Sequence, residues 1–296
     1  MVGAASATAR PQDANTTTAK SPIIVTAPVS EAERRKQLRR FTRAIVRSPR
    51  KGRPIARFRF PICPQVKGIA PEDARAVEAR LRENAEAFAS GANRDPGCTP
   101  NLRVAFMAPA AGAPEAWLTE KSDQLAHLPI YQRRTVLAEQ DPVRSWSKVA
   151  LRDIDGQPLR SLEADGRVIG QGDPIPTLVE PFSSADPIYT TEITGAAILI
   201  EREAAENLTL AQLADYITMR TFLGTQSPSE EVTPAAATTL SLFKGGEAPG
   251  GLTLYDQALL ESVYKASRQS TPRKVIANTA STTARTERRR SDEGSR

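Results

Sequence analysis

The chain has two cysteines, Cys63 and Cys98, and what lies between them constrains the fold more than any other feature. Cys63 ends a short apolar run, Phe60-Pro61-Ile62-Cys63-Pro64. Cys98 stands just before an alternating segment, Leu102-Arg103-Val104-Ala105-Phe106. Between them, Pro71 at a helix N1 position and Glu72 and Asp73 in a first turn predict a helix start. Ala74, Val77, Leu81, Ala85 and Phe88 supply its buried stripe, and Gly91 stops it. A cysteine at each end of a helix, each beside a strand, reads as a staple and points to an oxidising compartment. Two buried free thiols, or a nucleophile with a bystander, are the alternatives, although neither cysteine has a CxxC partner or a nearby histidine.

The remaining pattern alternates between helices and strands. Ser30 and Glu33 form a capping-box signature for a helix over 30–47, with Leu38, Phe41 and Ile45 on one face and Lys36, Arg40, Arg43 and Arg47 on another. Strands are predicted at Arg57–Ile62, closed by Pro64, at Leu102–Met107 with Leu102, Val104 and Phe106 inward, at Val143–Ile154, and at Tyr189–Ile200. Helices are predicted over Pro114–His127, Tyr131–Glu139 and Thr253–Ala266. The best specified helix follows Thr209, whose capping box closes with Gln212. Its apolar residues Leu210, Leu213, Ala214, Tyr216, Ile217, Met219, Phe222 and Leu223 surround most of the circumference, which marks a central helix, and Gly224 ends it. Residues 157–187 are rich in Pro and Gly and read as a long extended loop.

Charge is distributed unevenly. Residues 31–60 carry +10, residues 273–296 carry +4 and residues 61–272 carry −9, within a net charge of +6. Basic flanks on an acidic body fit either solvation of the chain or attraction to an anionic surface, here through the segment Arg34–Arg59. Residues 1–29 and 269–296 have few large apolar side chains, so both are expected to be disordered extensions of a domain over 30–268. There is no run of eighteen apolar residues to serve as a transmembrane segment. Ala5-Ser6-Ala7 has the small-x-small form of a signal-peptidase site, and on that reading the stated start lies inside a longer, truncated signal peptide.

The chemistry is sparse. With a single histidine, His127, the common zinc constellations and two-histidine mechanisms are missing, and no G-x-S-x-G elbow is present. Asp153-Ile154-Asp155-Gly156 begins like a calcium loop but lacks the later ligands, and Gly245-Gly246 and Gly250-Gly251 lack a phosphate-loop frame. No metal or other cofactor is called for.

Four segments resemble a group of exported alphaproteobacterial proteins to which no activity is attached. They are Pro54–Phe58 with Cys63–Gly68, Cys98–Phe106, Leu213–Met219 and Leu252–Leu260. More distantly, the order of elements is similar to a zincin-like metallopeptidase domain, in which the buried helix bears H-E-x-x-H. Here the matching frame is Asp215-Tyr216-Ile217-Thr218-Met219, followed by Leu223-Gly224, so every ligand and the general base are replaced. What that resemblance implies is a degenerate, pseudoenzyme copy that cannot hold zinc in that way.

The expected fold is a single α+β domain with a mixed sheet of about four or five strands packed by helices. The expected role is a non-catalytic periplasmic, envelope or secreted protein binding another protein or a small ligand, with a cytoplasmic location as the alternative. The candidate pocket lies at Asp215, Tyr216 and Met219, and no catalytic residue is assigned. The competing roles are a hydrolase on a degenerate zincin-like scaffold, using Asp215, and anionic lipid or nucleic-acid binding through the basic segment.

Overall fold

The computed structural model describes residues 29–47, 54–139, 141–153, 156–157, 189–229, 232, 234–245, 248–268 and 270–294. The first helix, α1 (Glu31–Ile45), begins where the Ser30 side chain accepts a hydrogen bond from the Glu33 amide. The chain then forms β1 (Arg57–Phe58) and β2 (Pro64–Lys67), the crossover helix α2 (Pro71–Phe88), and β3 (Leu102–Met107). Two short helices follow, α3 (Pro114–Glu120) and α4 (Ile130–Leu137), before the paired strands β4 (Val143–Asp153) and β5 (Tyr189–Glu201). The short α5 (Arg202–Ala205), the central α6 (Leu210–Phe222), α7 (Leu254–Tyr264) and α8 (Pro272–Gly294) complete the order.

The five strands form one mixed sheet, as the sequence predicts. β5 is its axis. One edge pairs antiparallel with the whole of β4, from Asp153↔Tyr189 to Val143↔Ile200, with a register shift between Lys148 and Val149. The other edge is shared, with β1 parallel at Arg57↔Glu192 and Phe58↔Ile193, and β3 parallel from Leu102↔Ala196 to Met107↔Glu201. β2 lies parallel outside β3. The segment expected to stop at Pro64 therefore resumes as a strand there. The reason is position: β2 pairs only with β3, and proline is tolerated at the first residue of an edge strand. Gly68, just past β2, has φ of 90°, and a Cβ there would stand 1.9 Å from the Phe106 carbonyl oxygen, so no other residue fits without displacing backbone.

Alternation along the strands divides the interior in two. Leu102, Val104 and Phe106 of β3 and Ile198 and Ile200 of β5 face a large core built with α1, α2, α6, α7 and α8. Met107, Trp146 and Leu199 face a smaller core capped by Leu118, Leu125, Leu128 and Val136. The helix predicted over Pro114–His127 is split there into α3 and a 3-10 turn at Ser122–Leu125, which leaves His127 in a turn.

The cysteine staple is present as predicted: Cys63 and Cys98 are disulfide-bonded across a sequence separation of 35. Around it the Cys63 amide donates to Asn101 Oδ1 at 2.8 Å, and the amides of Asn101 and Leu102 donate to the Cys63 carbonyl oxygen. The bond thus ties the start of β2 to the approach to β3.

One expectation is overturned. Residues 269–296, read as a disordered basic tail, contain α8, whose Val275, Ile276, Thr279, Ala280, Thr283 and Ala284 are buried. Composition misleads here because the buried stripe is built from small and β-branched residues that fit against α1 and α7 without large side chains. Arg34 pairs with Glu287 through two hydrogen bonds, of 2.9 and 2.6 Å, and Arg288 pairs with Glu31. The expected N-terminal extension 1–29, apart from Val29, and the loop 157–187, apart from Gln157, lie outside the described residues.

Candidate functional site

α6 carries polar residues where nearly every position is buried. Leu213 to Phe222 are all removed from solvent, including Asp215, Thr218, Arg220 and Thr221. Buried polar groups are costly unless bonded, so each must have a partner. Thr218 and Thr221 turn their hydroxyls back to the carbonyl oxygens of Ala214 and Ile217, at 2.9 and 2.7 Å. Asp215 and Arg220 each organise a larger network.

Asp215 faces α2 and the turn before α7. Its Oδ1 accepts from Arg80 Nε at 3.0 Å and Asn84 Nδ2 at 2.7 Å. Its Oδ2 accepts from Arg80 Nη2 at 3.2 Å and the Leu252 amide at 2.9 Å. Four donors fill the four acceptor directions of one carboxylate. Gly251 makes the last contact possible, because a Cβ there would stand 2.8 Å from Oδ2. The hydrogen bonds to Asp215 hold the Arg80 guanidinium above the usual arginine range. Asn84 gives its second proton to Thr218 Oγ1 at 2.9 Å, so this asparagine on the buried face of α2 also has both donors placed.

Tyr216 and Arg220, one turn apart, face the other way. Arg220 Nη2 donates to Glu139 Oε2 at 2.6 Å and to Ser145 Oγ at 2.9 Å, and Nη1 donates to Tyr216 OH at 2.7 Å and Ser227 Oγ at 3.2 Å. Arg47 donates to the other oxygen of Glu139 and, at 2.6 Å, to the Ser145 carbonyl oxygen. Two arginines therefore share one carboxylate. Burial, together with the nearby Arg220, pushes Arg47 down to about 9. Burial also raises the Tyr216 phenol, against the opposing influence of Arg220, so it stays protonated as a packing group. Its ring meets Phe243 edge-on at 4.9 Å.

The three residues singled out as a candidate pocket are placed in this helix but do not open onto a shared space. Asp215, Tyr216 and Met219 are each fully buried. Asp215 belongs to the α2 network and Tyr216 to the Glu139 network, while Met219 packs in the large core and its carbonyl oxygen accepts from Thr225 Oγ1 at 2.7 Å. Sequence reasoning missed Arg220, Glu139 and Asn84. The available signal was an arginine on a helix whose other faces are apolar, which requires a carboxylate partner without saying where in the chain it lies.

No family model, no curated protein and no solved structure matches this chain. Among the described residues, no group of three His, Cys, Asp or Glu side chains is placed to hold a metal ion, and no helix is long and apolar enough to cross a membrane.

Proposed function

We propose that this chain is a non-catalytic envelope or periplasmic protein that binds a partner or ligand. The observation that carries the reading is the saturation of Asp215. The carboxylate that a hydrolase on this helix would need as its base already accepts four hydrogen bonds and has no acceptor position left for a substrate proton. The disulfide adds support for an oxidising compartment, since such bonds are rare in cytosolic proteins. Asp215→Ala is expected to lower stability by about 2–3 kcal/mol, because the Leu252 amide and one Asn84 proton lose their acceptor while Arg80, 40% exposed, can turn to water. Urea denaturation reads that loss, and a peptidase and esterase panel on the same protein reads activity. Turnover by the native chain that disappears in Asp215→Asn would overturn the reading.

A second reading is favoured by the packing of α8 on α1. Two basic segments, separate in sequence, become neighbouring helices that expose Lys36, Arg39, Arg40 and Arg43 on one and Arg285, Arg288, Arg289 and Arg290 on the other. Such a surface attracts anionic lipid headgroups. Cosedimentation with vesicles containing anionic lipid should be strong at low salt and lost as salt screens the contact. Absence of binding at low salt removes this reading.

A further inference from the structure

Away from α6, a second charged cluster forms where β1, the far end of β4 and the start of β5 meet the C-terminal end of α7. Arg57 and Glu192 are register neighbours on β1 and β5. Arg152, on β4, donates to Glu192 Oε2 at 2.7 Å. Arg57 caps α7, donating to the carbonyl oxygens of Val263 and, at 3.0 Å, of Ala266. Arg268 follows two residues after Ala266 and approaches Gly156, where a Cβ would lie 4.0 Å from its Nη1. Arg59 follows Arg57 by two residues. Among the described side chains, Arg152 thus holds Glu192 directly, Arg57 stands beside it in register, and Arg59 and Arg268 lie close enough to Arg57 to act on its charge. Burial first, and then the charges of Arg59 and Arg268, push Arg57 down to about 10.

Two buried atoms of this cluster have no hydrogen-bond partner: Nε of Arg59, a donor, and Oε1 of Glu192, an acceptor on a residue 2% exposed. The cluster also opens outward, from buried Arg57 and Glu192 through half-buried Arg59 and Arg152 to exposed Arg268. Excess positive charge selects an anion, and planar guanidinium groups suit its oxygens. A vacant acceptor beside that charge selects an anion that carries a proton of its own.

We propose that Arg57, Arg59, Arg152, Arg268 and Glu192 form a binding site for a protonated oxyanion of the phosphate class, inorganic phosphate or a phosphomonoester, with the guanidinium groups on its charged oxygens and its O–H donated to Glu192 Oε1. This deepens the binding role proposed above, and rests on it, by naming the ligand chemistry. Sulfate is the discriminating control: it has the same tetrahedral shape but no O–H. It would leave Glu192 Oε1 facing an acceptor.

The test is calorimetric titration of the full chain with inorganic phosphate, glycerol phosphate and sulfate at matched ionic strength and at about pH 6, where a phosphomonoester still carries its proton in roughly half of its molecules. Phosphate is expected to bind at least ~10-fold more tightly than sulfate, since a site built to accept a ligand hydroxyl rejects the analogue without one. Arg268→Gln, at an exposed position, should weaken phosphate about tenfold while leaving the thermal midpoint unchanged. Glu192→Gln should bring the phosphate-to-sulfate ratio towards one, because its amide can donate to sulfate. Tighter binding of glycerol phosphate than of phosphate assigns the site to a monoester, and the reverse assigns it to the free ion. Equal affinity for phosphate and sulfate, or no heat with either, overturns the proposal. That failure leaves the non-catalytic reading standing, since the latter falls only to Asp215-dependent turnover.

Discussion

Glu139→Ala is expected to destabilise the fold by about 3–5 kcal/mol, the range found when one partner of a buried ion pair is removed and the other is stranded. Here two partners are stranded. Arg220 is fully buried and Arg47 largely so, and both donate to the same carboxylate. Without Glu139, Arg220 retains Ser145, Tyr216 and Ser227, and Arg47 retains the Ser145 carbonyl oxygen, but two like charges then face each other with no counter-ion between them. Glu139 sits just beyond α4, so its loss should also loosen the connection into β4. Urea denaturation gives the magnitude, and a double-mutant cycle with Arg220→Met isolates the coupling. The double variant should be less damaged than Glu139→Ala alone, because it removes one of the two stranded charges and the repulsion between them. A single-variant cost below about 1 kcal/mol would mean that the arginines reach water instead, which their burial opposes.

The second large effect is loss of the disulfide. Cys63→Ser with Cys98→Ser is expected to cost about 3–4 kcal/mol, from the loop-closure entropy of a bridge spanning 35 positions, less any structure retained in the unfolded chain. The effect should act mainly through the unfolded state, since Asn101 and the backbone bonds to Cys63 still hold the start of β2 against the approach to β3. Alkylation of protein taken directly from cells should label no thiol before reduction and two after it. Two reactive thiols without reductant would place the chain in a reducing compartment and withdraw the support that the bond lends to an envelope location.

What could be read from sequence has a common physical character. The capping bonds of Ser30, Thr209 and Thr253 join residues three apart, so the residues that make them lie in one short window. The alternation of Leu102, Val104 and Phe106, and the apolar circumference of α6, express burial through local periodicity. The cysteine pairing was legible because two cysteines allow one intramolecular partner. α8 was not legible: its apolar content is low, and its burial comes from threonines and alanines that fit one particular surface of α1 and α7.

The candidate site shows the other limit. Asp215, Tyr216 and Met219, expected to line a pocket, are buried side chains of α6. Asp215 is instead satisfied by residues 135 and 131 positions earlier and by an amide 37 positions later, and Arg220 by a carboxylate 81 positions earlier. The arginines of the Glu192 cluster come from β1, the segment just after it, β4 and the segment after α7, which periodicity and capping treat as unrelated.

The sequence by itself determined the α+β class, most of the helices and strands, and the covalent tie between Cys63 and Cys98, because those depend on contacts a few residues apart or on a pairing with one solution. Only the tertiary structure decided which charges meet. That saturates Asp215, strands two arginines on Glu139, and leaves the cluster at Glu192 with an excess of positive charge, since burial makes each ion seek a partner wherever the fold brings one within reach.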